Sequence, residues 1–256
     1  MKSFLAFFKK ELLEAKRNGN LLLSGILFLL FGMMNPAIAK LTPWLMEIMS
    51  DSLAESGMTV TKVTVNAMTS WTQFFKNIPM ALIVFLLIYS NSFTKEYQRG
   101  TLIPVLTKGI PRKNILLAKS ATMLLIWTAG YWLCFFVTYA YTDYFWDQSI
   151  LQNLMLSGLC WWFFGVWTIS VTVLFSVISN ANSTVLLGVG GAVLASYLIG
   201  LLPKAQFYCP TNLTNGTLLL VGGIDTNKLL PTWGVTFVLT CVCFGISLPI
   251  FHKKQL

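Results

Sequence analysis

The sequence predicts an all-α integral membrane protein: an amphipathic N-terminal helix, then six transmembrane helices, with both ends in the cytoplasm. Three observations predict it. Of 256 residues, 55% are hydrophobic and only 11% charged, less than half the charged share of a usual soluble domain. The apolar residues gather into stretches of about 20, the length that crosses a hydrocarbon core. The basic residues collect on one side of those stretches. Disordered, collagen-like and disulfide-scaffold classes fall with the soluble one.

Taken in order, residues 1–20 read as an interfacial elbow helix. At 100° per residue Phe4, Leu5, Phe8, Leu12 and Ala15 share one face, and Lys9, Lys10, Lys16 and Arg17 lie mostly opposite. Asn18-Gly19-Asn20 breaks it. The spans follow at 21–39, 71–93, 115–139, 154–178, 185–203 and 232–251. The fourth and fifth come from one charge-free run between Asp147 and Lys204, too long for a single crossing and broken by the turn formers at 179–183. A second reading of the first span is a signal-peptide core with Ala37-Ile38-Ala39 as a cleavage site. The acidic residues and helical pattern of the preceding segment favour a span.

With the N-terminus inside, thirteen Lys and Arg fall on inner segments and five on outer ones. This positive-inside asymmetry fixes the orientation, and six crossings return Lys253 and Lys254 to the same side. The net charge of +9 is therefore read as topology, not as affinity for nucleic acid. Of the five cysteines, Cys134, Cys160, Cys241 and Cys243 lie in apolar runs and only Cys209 in a polar loop, so no pair stands outside the membrane for a disulfide, and no ligand spacing suggests zinc.

The loop at 94–114 carries the most information. Gly100 and Thr101 suit a turn and an N-cap, Pro104 a first turn, and Lys108, Gly109 and Pro111 a stop. They define a two-turn helix over about Leu102 to Lys108, and Asn114 is then placed to cap the third span. Leu102, Val105 and Leu106 share a face. On a membrane surface, that face is expected to be a knob for another protein's groove.

Glu96, Gly100-Thr101-Leu102, Leu106-Thr107-Lys108, Pro111-Arg112 and the run Ile115 to Lys119 resemble the corresponding loop of type-2 ABC transporter permeases. The elbow helix, the six spans and the long outer loop before the last span extend the resemblance over most of the chain. It implies a coupling helix docking on a separate ABC ATPase subunit, with Glu96, Gly100, Thr101, Leu102, Val105, Leu106, Lys108, Pro111 and Arg112 forming or bracing the contact. It implies ATP and Mg on that subunit, none on this chain, and a second permease copy or paralogue. It also implies export of drugs, peptides, lipids or lipid-linked glycans, in some members as self-protection against antimicrobial peptides, from a multi-pass position in a bacterial plasma membrane.

Gly188, Ala192, Ser196 and Gly200 recur every four residues, and Gly25, Gly32 and Ala39 every seven. Such small-residue stripes admit a close helix neighbour, within the chain or in a dimer; the resemblance favours the dimer face. Aromatic residues crowd the third and fourth spans, as lipid packing or as a path for apolar cargo. Glu47, Asp51 and Glu55 beside Leu45, Ile48, Met49 and Leu53 predict a small amphipathic helix in the first outer loop. Leu218 to Val221, too short to span, is expected to dip into the membrane or cap a cavity. No P-loop, HExxH or acid–base constellation occurs, and no Asp or Glu lies in a span core. This chain is therefore not expected to be an enzyme, and transport needs an external motor. The rival reading is a motorless membrane scaffold or sensor.

Overall fold

The computed structural model describes residues 2–55, 64–107, 109–223 and 226–254. Among them, the structure is all-helical: α1 (Lys2–Arg17), α2 (Asn20–Glu55), α3 (Ala67–Tyr89), α4 (Asn91–Arg99), α5 (Ile103–Thr107), α6 (Arg112–Phe145), α7 (Leu154–Ile178), α8 (Asn182–Gly200), α9 (Gly216–Leu220) and α10 (Leu230–Lys253), with short 3-10 turns at Gln206–Tyr208, Pro210–Thr214 and Thr226–Leu229. Six of these segments are long and apolar enough to cross a membrane.

Several boundaries differ from those expected. The helix that carries the first span does not stop near 39. α2 continues to Glu55 through Pro36 and Pro43, so the first outer loop opens as an extension of the span helix instead of a separate one; side chains from 49 onward lie outside the described set. The Thr42 hydroxyl donates to the Ile38 carbonyl (2.8 Å), using local acceptor capacity where the helix holds two prolines. α3 begins at Ala67 because Asn66 and Thr69 form a reciprocal capping box. α6 begins at Arg112, behind the extended Pro111. Asn114 is consequently inside the helix, where its Nδ2 donates to the Ser3 hydroxyl (2.8 Å) and staples the elbow rather than capping the span.

α2 packs along α3 and α6, α7 along α8 and α10, and α1 crosses the start of α6. The centre is aromatic. Phe28, Trp71, Phe74, Phe85, Trp127, Tyr131 and Phe135 are buried, with tilted or edge-on ring pairs 4.8–6.3 Å apart. Most of the crowded aromatics of the third and fourth spans are thus bundle core. Two glycines make that approach possible: a Cβ at Gly130 would overlap the Phe28 ring, and one at Gly165 the Trp127 indole. Gly165→Leu is expected to cost about 3 kcal/mol by overpacking, read as a lower melting temperature of the purified protein in detergent.

One end of the bundle, called here the near end, gathers α1, α4, α5, the start of α6, the α7–α8 turn and the last turn of α10. At the far end α9 and the 3-10 turns close over α3 and α7, with Leu213, Leu219 and Leu220 fully buried. This cap satisfies its own backbone: Gln152 N–H donates to the Leu220 carbonyl (3.0 Å), Trp161 Nε1 to Thr214 (3.0 Å) and the Thr232 hydroxyl to Phe207 (2.6 Å).

Candidate functional site

The near end is built around a buried cation. Lys119, on the second turn of α6, is 1% exposed; its Nζ stands 2.9 Å from Glu11 Oε2 and 3.1 Å from Glu96 Oε2, and donates to the Ser92 carbonyl at 3.2 Å. The contact with Glu96 Oε2 is a close ionic one, without hydrogen-bond alignment. Lys10 closes the cluster from the rim, its Nζ 2.9 Å from oxygens of Glu11, Glu14 and Glu96. Burial alone would lower the pKa of Lys10, but the three carboxylates hold it well above the usual lysine value. Burial likewise opposes, and Lys10 outweighs it, for Glu14, whose carboxyl is held below its ordinary value. Three carboxylates and two ammonium groups thus bind α1, α4 and α6 together beside a cavity of about 560 Å³.

Glu11 explains why the elbow helix is rotated from its expected face. The inward residues are Phe7, Glu11 and Ala15, with Phe4 and Phe8 half-buried, whereas Leu5 is 57% exposed. Pairing with buried Lys119 draws a charged residue into the centre of the packed face and leaves Leu5 and Leu13 on the outside, suited to lipid.

The loop also differs from expectation. Gly100 ends α4 in the left-handed conformation (φ 64°), its N–H returning to Glu96 and Tyr97 carbonyls. α5 then covers only Ile103–Thr107. Leu102 is 1% exposed, and Val105 and Leu106 are half-buried against the same core. The face read as a knob for a partner is turned inward, because the bundle offers apolar surface there. The outward face is Thr101, Ile103 (49% exposed), Pro104 and Thr107, followed by Gly109 and Pro111. Glu96 lies beneath this surface as a brace, and Lys108 lies outside the described residues.

Arg112 is a brace too. Its Nη1 donates to the carbonyls of Phe251 (3.1 Å), His252 (3.2 Å) and Lys254, capping the last turn of α10. Lys254 Nζ in turn donates to the Val177 (2.8 Å) and Ser179 (3.0 Å) carbonyls at the end of α7 and sits 4.0 Å above the Tyr97 ring. Burial lowers its pKa to about 8. The Gln98 amide reaches the Asn180 carbonyl (3.1 Å). Through these bonds α4 is tied to α6, to α10 and to the α7–α8 turn.

The small-residue stripes are largely internal seams. A Cβ at Gly32 would meet the Cys134 carbonyl and Val137 at 3.0 Å, and one at Gly188 would overlap Phe175. Ser196 donates to the Thr211 hydroxyl (3.3 Å), and that hydroxyl also faces Gly200. Ala192 is half-buried against the core. Ala39 is fully buried, and among the stripe glycines only Gly25 opens on free space, as do Gly190 and Gly191 of α8. Between α3 and α8 an apolar groove of about 690 Å³ opens on the outside of the bundle, floored by Trp161, Phe164 and Thr168 of α7.

Sequence reading missed Glu11, Lys10 and Lys119 as one unit. The available signal was a lone Lys one turn inside an apolar span and a Glu at i+4 from Phe7 on the elbow; each is costly to bury unless paired.

Residues 5–215 match a family model described as ABC-2 family transporter protein. The match runs from the elbow helix through the fifth span into the far-end cap. No curated protein matches the chain.

Proposed function

Given that the chain belongs to the ABC-2 family of transporter proteins, and so is a membrane permease subunit of an ABC transporter, we propose that its near end is the cytoplasmic docking surface for the ATPase. The orientation is supported by the Lys and Arg excess on the segments that meet at the near end. The exposed ridge Thr101, Ile103, Pro104 and Thr107 meets the ATPase subunit, which binds ATP and Mg. The single observation that carries the reading is the arrangement behind that ridge. A short exposed helix is rooted in a buried ion cluster and in the α10 clamp, so force on it reaches three spans at once.

The cargo leaves the cytoplasm or the inner part of the membrane and is amphipathic or apolar, a reading that the uncharged groove between α3 and α8 supports. A second copy or a paralogue packs against the open sides of α2 and α8, at Gly25, Gly190 and Gly191, where an added Cβ would meet nothing within 4 Å. The setting is a bacterial plasma membrane, and peptide export or antimicrobial self-protection fits this cargo class.

Ile103→Asp tests the docking surface. The side chain is exposed, so the substitution leaves membrane insertion and melting temperature unchanged. It is expected to lower transport-coupled ATPase activity about tenfold or more, the effect of a desolvated unpaired charge at an interface. Normal coupling in this variant would overturn the reading.

A further inference from the structure

The cavity of about 560 Å³ beside the ion cluster holds more polar groups than the cluster uses. Its walls come from α1, the start of α2, the end of α3, α4 and α6, so it sits where the elbow helix turns into the first span. Asn18 and Asn20 flank that turn and line the cavity, and exposed Leu21 and Leu22 follow at once on α2. Polar lining at the base of an apolar span marks the level at which headgroups meet hydrocarbon.

The lining defines a ligand by charge, hydrogen bonding and size. Four basic and three acidic side chains line the cavity, which leaves one positive charge. Lys10 and Lys119 are engaged by Glu11, Glu14 and Glu96. Lys95 and Arg99, one turn apart on α4, are exposed, and neither has a carboxylate within ion-pair distance among the described residues. A monoanion there brings the lining to neutrality, whereas a dianion or a cation leaves it charged. The side chains of Asn18, Asn20, Asn91 and Ser92 make no hydrogen bond among the described residues. Glu96 is 8% exposed, and its Oε2, 3.1 Å from Lys119, has no aligned donor. A ligand hydroxyl supplies that donor, and the amides both donate and accept. The volume far exceeds the about 30 Å³ share of one water, so it takes a phosphate together with an adjoining glycerol, not only a bare ion.

We propose that the cavity binds a phosphodiester carrying free hydroxyls, its phosphate on Lys95 and Arg99 and its hydroxyls among Asn18, Asn20, Asn91 and Glu96. Basic pockets between spans hold anionic heads by the same pairing of charge with hydrogen bonds. Two sources offer that chemistry: the head of phosphatidylglycerol and a soluble glycerophosphodiester. An ethanolamine head is the poorer match, since its ammonium restores the positive charge that the phosphate removes. Bound there, the ligand ties α4 to the α1–α2 turn. The site needs the family's membrane setting but not the ATPase contact, so its test can fail while the Ile103→Asp experiment succeeds.

The full chain, without ATPase, is released from nanodiscs of equal parts phosphatidylcholine, phosphatidylethanolamine and phosphatidylglycerol, and the retained lipids are counted by native mass spectrometry. One phosphatidylglycerol is expected to be retained about tenfold over either other lipid. Lys95→Gln with Arg99→Gln is expected to weaken that retention about twenty-five-fold, about fivefold for each lost cation. The melting temperature stays unchanged, because both side chains are exposed. Lys9→Gln with Lys16→Gln removes the same charge from exposed positions of α1 outside the cavity, and is expected to leave retention within about twofold. Displacement of the lipid by millimolar glycerophosphoglycerol assigns the site to soluble phosphodiesters, and retention against it assigns the site to lipid. Equal retention of the three lipids, or an equal loss in the α1 double variant, would overturn the proposal, because either shows the diffuse attraction of a basic surface.

Discussion

Lys119→Met is expected to destabilise the protein by about 3 kcal/mol and to detach the elbow helix. The substitution fits the space but leaves Glu11 and Glu96 buried with only the half-exposed Lys10 between them. Breaking a buried pair by removing one partner costs about 3–5 kcal/mol, because the other charge stays in a poor solvent. Lys10 limits the loss here, since it already touches both carboxylates. The expected readouts are a lower melting temperature in detergent and faster proteolysis of residues 2–17. Glu11→Gln in the same chain brings the cluster back to its native net charge and should recover part of the loss. A Lys119→Met protein as stable as the parent, with an equally protected elbow, would remove the cluster from the account of how α1, α4 and α6 hold together.

Trp127→Ala is expected to cost about 2–3 kcal/mol, below the about 3–5 kcal/mol usual for emptying a large aromatic from a soluble core. Trp127 is fully buried, lies 5.4–5.8 Å from the rings of Phe28, Phe85 and Tyr131, and donates from Nε1 to the Trp162 carbonyl (3.1 Å). In a bilayer the unfolded alternative is also apolar, so transfer from water contributes little. What is lost is dispersion contact and one hydrogen bond, against a cavity that neighbours only partly fill. Trp127→Phe should recover most of the packing and isolate the hydrogen bond. A loss equal to that of a surface Trp44→Ala control would contradict the packing argument.

The number of candidate spans and the separate first helix were legible in the sequence, because hydropathy over about 20 residues and the polar break at 18–20 are local signals. The Gly100 turn and the tight turn after Ile178 were legible for the same reason. The faces were not. Leu102, Val105 and Leu106 have the spacing of a docking face, and spacing alone does not say whether the apolar partner is another protein or the chain's own bundle. Glu11 illustrates the complementary failure. Helical spacing within α1 puts it beside the apolar stripe, and only Lys119, distant in sequence, draws it inward. The stripe at Gly188 and Ser196 meets the Phe175 ring and the Thr211 hydroxyl of its own chain, neighbours that a four-residue spacing does not name. Asn66 and Thr69 were missed as a cap because the apolar run begins several residues later.

α6 runs 34 residues without a proline, about 51 Å at helical rise. Lys119 is near one end. Thr142, bonded to the Ser70 hydroxyl (2.7 Å), and Thr138, which donates to the Gly32 carbonyl (3.0 Å) and accepts from Asn35 Nδ2 (3.1 Å), are near the other. Midway, Phe28 fits against Gly130 and Trp127 against Gly165. α6 is thus a continuous strut held at three heights, and Gly130 on it and Gly165 opposite it let aromatic neighbours close on its waist.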